Sequence, residues 1–91
     1  MKKNLIIRVS GDLQGTLFRQ EARQKAEKLG LNGTAHYEPD GNLHIEVEGA
    51  PEQLDAYRQW CEQGPDGTHV SHIAVEEGAL QGYDRFIEMP M

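Results

Sequence analysis

Residues Gly11-Asp12-Leu13-Gln14-Gly15-Thr16-Leu17-Phe18-Arg19 are the part of this chain best suited to chemistry. Gly11 and Gly15 allow a tight turn in which successive backbone N–H groups point the same way. Where such a loop feeds a helix, the N–H groups of the first turn lack helical acceptors and can gather around an anion. Arg19, where a helical pattern begins, adds a permanently charged fork that matches two oxygens of a phosphate. Loop and arginine together could neutralise one phosphoryl group. An ordinary turn followed by a solvated arginine would use the same residues, and the spacing alone does not separate the two readings.

The flanking segments predict how this loop is held. Leu5 to Val9 is apolar and partly β-branched and stops at Ser10-Gly11, which predicts a first strand. From Phe18, the apolar positions Phe18, Ala22, Ala26 and Leu29 make the stripe of an amphipathic helix, closed by Lys25, Lys28 and Gly30. Thr34 to Tyr37 predicts a short second strand and Glu38-Pro39-Asp40-Gly41 a hairpin loop. Leu43 to Glu48 alternates apolar and polar residues as a half-buried strand does. Pro51 suits the first turn of a second helix, with Leu54, Tyr57 and Cys61 on one face and Gly64-Pro65 beyond its end. Tyr57 and Trp60 are expected to pack at the core or its rim. In Val70 to Glu76 the alternation breaks once, predicting a bulge or a late start. Asp84 to Met89 predicts a short last strand with Phe86 in the core.

This order, β-α-β-β-α-β with one extra strand, predicts an α+β sandwich of ferredoxin-like type, with two helices on one face of an antiparallel sheet. The right-handed crossover makes the first two strands parallel, so strand two ends at the rim where the loop enters helix one. Tyr37 is therefore predicted beside Gly15 and Arg19.

With 91 residues the chain is expected to form one domain, 1–91. A net charge of −6 argues against a nucleic-acid partner, whose phosphates call for clustered Lys and Arg, though a local cradle can still hold a small anion. Leu5-Ile6-Ile7 is too short an apolar run for a signal peptide or a membrane span, so a cytoplasmic monomer without a membrane partner is expected. Cys61 is the only cysteine, which excludes an intrachain disulfide. His36, His44 and Glu46 would share one strand face, but no zinc-type spacing accompanies them and no metal site is expected. A copper carrier of this topology would need two close cysteines, and an RNA-binding domain exposed aromatics and a basic sheet. The chain has neither.

Gly11, Gln14, Gly15, Phe18 and Arg19 match in register the acylphosphatase signature Gly-x-Val-Gln-Gly-Val-x-Phe-Arg, which this chain resembles. The similarity continues through Ala26, Leu29-Gly30-Leu31-Asn32-Gly33, Asp40-Gly41, Gly49, Gly64-Pro65, Val70 and Phe86. The resemblance implies hydrolysis of acyl phosphates to carboxylate and phosphate without metal or organic cofactor. It implies a phosphate-binding loop of Gln14, Gly15, Thr16, Leu17, Phe18 and Arg19, with Arg19 catalytic. In that family an Asn near the end of strand two holds the attacking water. Here Gly33-Thr34-Ala35-His36-Tyr37 stands where Gly-Trp-Val-x-Asn is usual, so Tyr37 occupies the Asn position. A phenol has one hydroxyl on a rigid ring where an amide has an acceptor and two donors near the backbone. Weak hydrolysis is expected, with Asn32, Asn42 or Thr16 as substitute water-holders. A non-catalytic anion-binding or interaction module of the same fold is the alternative. Asp12, if inside the loop and turned inward, would repel a bound phosphate.

Overall fold

In the computed structural model, which describes residues 1–13 and 15–90, the elements are β1 (Lys3–Asp12), α1 (Phe18–Lys28), β2 (Asn32–Tyr37), β3 (Leu43–Gly49), α2 (Pro51–Gln63), β4 (His69–Gly78) and β5 (Phe86–Glu88). Every predicted element is present. β1 and β4 run longer than their apolar stretches because the ladder between them continues through Asp12 and His69, and backbone pairing does not depend on hydrophobicity.

The sheet order is β4-β1-β3-β2-β5. β1 pairs antiparallel with β3 and β4, and β2 antiparallel with β3. β5 departs from the expected antiparallel sheet, pairing parallel with β2 through Phe86 opposite Gly33. The connection from β4 explains the direction. β4 ends at Gly78 opposite Asn4, at the rim where β1 and β2 begin, so β5 leaves that rim in their direction.

The inward residues Ile7, Val9, Leu43, Ile45 and Val47 of the sheet meet Phe18, Ala22 and Ala26 of α1 and Leu54, Tyr57 and Cys61 of α2, all buried. Tyr57 is fully buried yet satisfied, its hydroxyl donating to the Ala22 carbonyl at 2.9 Å. Trp60 meets Phe18 edge-on at 5.5 Å between ring centroids, so both α2 aromatics are packing residues as their spacing suggested. Burial pushes the Cys61 thiol well above its ordinary range, which keeps it from being a nucleophile.

The expected irregularity lies at the start of β4. Opposite Ser10 stands His72, but opposite Gly11 stands Val70, leaving Ser71 as the extra residue. Its hydroxyl donates to the Ser10 carbonyl at 3.1 Å. The added residue lets Val70 and Ile73 both pack against the core. Gly11 is required here for space, since a Cβ would lie 2.1 Å from the His69 carbonyl oxygen. Gly11→Ala is therefore expected to part β1 from β4 just before the loop and to cost about 1–3 kcal/mol, read as a lower denaturant midpoint.

The strap from β4 to β5, residues 79–85, is fastened by Glu48. This side chain is only 5% exposed and accepts hydrogen bonds from the backbone N–H groups of Gln81, Gly82 and Tyr83 and from the Asn4 amide. Burial alone would push its carboxyl up, but these donors outweigh it and hold the group below the usual carboxylate range. A carboxyl depressed in the folded state contributes stability that is complete above its unfolded value of 4.5 and is lost as pH falls through the folded one. Wild type should therefore lose stability below about pH 4.5 more steeply than Glu48→Gln, as denaturant midpoints measured between pH 3 and 6 would show.

Candidate active site

Phe18 fixes the site. Its side chain is fully buried under the helices, which places the first turn of α1 at the rim where β2 ends. Gly15 turns the chain with φ +74°, a left-handed conformation that disfavours any residue with a Cβ. Thr16 braces the turn, its hydroxyl donating to the Leu13 carbonyl at 2.6 Å and accepting from the Phe18 N–H at 3.4 Å. Leu17 is exposed. The Phe18 ring belongs to the core, so this residue can offer a ligand only its backbone N–H, in exchange for the long bond to Thr16.

Arg19 projects from this turn with its side chain 31% exposed. Its guanidinium carbon stands 5.2 Å from the centre of the Tyr37 ring, within cation–π range. Nη1 donates to the Met89 carbonyl at 3.0 Å, and Nε lies 3.9 Å from Glu88 Oε1. The other Glu88 oxygen accepts from Arg23 Nε. Three elements thus converge on one guanidinium: the first turn of α1, the end of β2 and the end of β5. A cleft of about 100 Å³ lies among Thr16, Leu17, Arg19, Gln20, Tyr37 and Glu88. Next to it, sharing Thr16 and Tyr37, a larger groove of about 380 Å³ runs towards the β2–β3 hairpin.

The predicted meeting of Gly15, Arg19 and Tyr37 at one rim is what the fold produces. Gln14 lies outside the described residues. Asp12, expected inside the loop, instead ends β1 opposite His69 and is exposed, because the β1–β4 ladder extends past the bulge. Among the substitute water-holders, Asn32 begins β2 at the opposite rim and donates to the Tyr83 carbonyl. Asn42 is bound to Asp40 in the hairpin through its backbone N–H and its amide. Thr16 alone of the three lines the cleft. Glu88 and Met89 are site residues that the sequence did not reveal. Only the parallel pairing of β5 brings them to Arg19, and no spacing encodes it.

On the outer face of the sheet His36 and His44 stack with ring centroids 4.9 Å apart. Burial first, and then the neighbouring His36, push His44 below its ordinary range. Among the described residues no group of three or more His, Cys, Asp or Glu side chains is arranged to hold a metal ion, and no helix is long and apolar enough to cross a membrane.

The acylphosphatase family model matches residues 5–87. Among curated relatives, an acylphosphatase of Nocardioides sp. is 37% identical over 86 residues, 94% of this chain and 87% of that protein. Another, from Marinobacter nauticus, is 44% identical over 69 residues, 76% of this chain and 75% of that protein. The solved structure of an acylphosphatase from Coxiella burnetii superposes with a TM-score of 0.94 at 28% identity, covering 97% of this chain and 93% of that one. That of acylphosphatase from Bacillus subtilis gives 0.89 at 31% identity, covering 98% and 99%. With a family model over residues 5–87, and a relative and a solved structure that cover 94% and 97% of its length, the chain belongs to the acylphosphatase family.

Proposed function

We propose that residues 1–91 act as one unit that binds the phosphoryl group of an acyl phosphate at Gly15 to Arg19 and hydrolyses it, weakly, to carboxylate and phosphate. The observation that carries this reading is Arg19, a partly exposed guanidinium at the first turn of a helix, where backbone N–H groups and a permanent charge can act on the same oxygens. In the reaction water attacks phosphorus in line, the bond from phosphorus to the bridging oxygen breaks, and a carboxylate departs as a stable anion. The work left to the protein is positioning and charge neutralisation, for which the reading invokes no cofactor. An incoming phosphoryl group must compete with Glu88 for Arg19. The 3.9 Å separation of that pair makes the contact easy to exchange.

Tyr37 is why the rate is proposed to be low. Its ring faces Arg19, so a rigid aromatic surface stands where the family's amide would hold water. The same contact favours a second reading, in which the cradle binds phosphate, sulfate or a carboxylate without turnover. In either case the partner is a small anion and not a nucleic acid, given the net charge of −6, and the protein is proposed to work as a monomer in the cytoplasm.

Hydrolysis of benzoyl phosphate by the purified protein, with metals chelated and inorganic phosphate as competitor, tests the proposal. Slow turnover inhibited by phosphate is expected. Phosphate binding without turnover would select the second reading, and the absence of both would remove the first and the second together.

A further inference from the structure

The groove beside the Arg19 cleft has a composition of its own. Exposed Pro39 and half-buried Tyr37 give it an apolar lining above the buried Leu13, and Glu38 is the only charged side chain among the described residues on it. Glu38 is held by Arg8, whose Nε donates to it at 2.8 Å. The groove and the cleft share Thr16 and Tyr37, so a molecule whose phosphoryl group meets Arg19 can continue into the groove without leaving the surface. Tyr37 stands at the junction, with Arg19 against its ring.

Building on the phosphoryl-binding reading above, we infer that this groove is the acyl subsite and that it selects an uncharged aromatic acyl group, with Tyr37 as the specificity-determining residue. With about 380 Å³ the groove is far larger than an acetyl methyl requires. An acetyl group would leave Pro39 and the half-buried Tyr37 in water, whereas an aryl group covers them and brings its own apolar area out of water. A planar aryl group can also pack against the Tyr37 ring in offset or edge-on geometry. A tail bearing a carboxylate or second phosphate would find no cationic side chain among the described residues that line the groove, and Arg8 nearby is already paired with Glu38. The Tyr37 that disfavours water-holding is thus the residue that supplies recognition of the acyl end.

Binding of three probes that cannot be hydrolysed tests this without relying on turnover: inorganic phosphate, 2-oxopropylphosphonate and 2-oxo-2-phenylethylphosphonate. In the two phosphonates a methylene replaces the bridging oxygen of acetyl and benzoyl phosphate. By titration calorimetry the phenyl compound should bind about tenfold more tightly than the methyl one. The preference should persist in Tyr37→Phe, which keeps the ring, and fall to about threefold or less in Tyr37→Ala. Tyr37 is only partly buried at the end of β2, so folding should survive both changes, and phosphate binding in each variant verifies that the cradle persists. If phosphate and both phosphonates bind but with equal affinity, the acyl subsite is overturned while the phosphoryl reading stands. A phenyl preference undiminished in Tyr37→Ala overturns the assignment of Tyr37. If none of the probes binds, the phosphoryl reading fails and the subsite falls with it.

Discussion

Arg19→Ala is expected to lower kcat/KM for benzoyl phosphate by about a thousandfold, the scale on which removing a positioned donor or an arginine slows acyl and phosphoryl transfer. The loss should be almost wholly functional. The side chain is partly exposed, and its removal takes away one hydrogen bond to the Met89 carbonyl, a long contact with Glu88 and the cation–π contact with Tyr37, together about 1–2 kcal/mol. Denaturant midpoints of wild type and variant should therefore differ by no more than this small amount. Arg19→Lys should recover only part of the rate, because an ammonium keeps the charge but not the planar fork that meets two oxygens. A variant that hydrolyses benzoyl phosphate as fast as wild type would show that the anion is held elsewhere.

Tyr37→Asn carries the second large expected effect, and its sign is unusual for an active-site substitution. If a misplaced water limits the wild type, an amide at this position should raise the rate by up to about a hundredfold, the cost associated with a displacement of about 1 Å in the attacking group. The gain must depend on the cradle, so it should vanish in the double variant with Arg19→Ala. The two substitutions are then strongly non-additive, as expected for residues in contact across 5.2 Å. The acyl subsite adds a further expectation: the gain should come with a narrower difference between benzoyl and acetyl phosphate, because the aromatic wall is removed. Fast wild-type turnover that Tyr37→Asn does not improve would refute the idea that Tyr37 limits the rate. Thr16, the one substitute water-holder that lines the cleft, would then be the next residue to replace.

How far the sequence reached depends on whether a feature is encoded locally. The alternation of Leu43, Ile45 and Val47 and the stripe of Phe18, Ala22 and Ala26 each specify an element and the face it buries, and these residues form the core. The position of Tyr37 beside Arg19 was also legible, because the handedness of the crossover settles which strand ends share a rim. The broken alternation at Val70 and Ile73 located the bulge to within a few residues, although its partner Gly11 could be found only from the register. By contrast, the extension of β1 through Asp12 follows from backbone pairing with β4, to which side-chain polarity gives no guide.

The residues surrounding Arg19 mark the boundary most clearly. The chain by itself determined the loop, the arginine, the helix that begins there and the aromatic at the end of β2, since each follows from residue type, local periodicity or the chirality of one crossover. Tertiary structure alone decided that Glu88 and Met89 reach Arg19. That contact joins α1 to a strand about 70 residues away, and it exists because Glu48 and Asn32 fasten the strap to one rim and β5 then runs parallel to β2. It also decided that the space beside Tyr37 is a groove with an apolar lining, because its walls come from a loop and a hairpin that meet only after the sheet has formed.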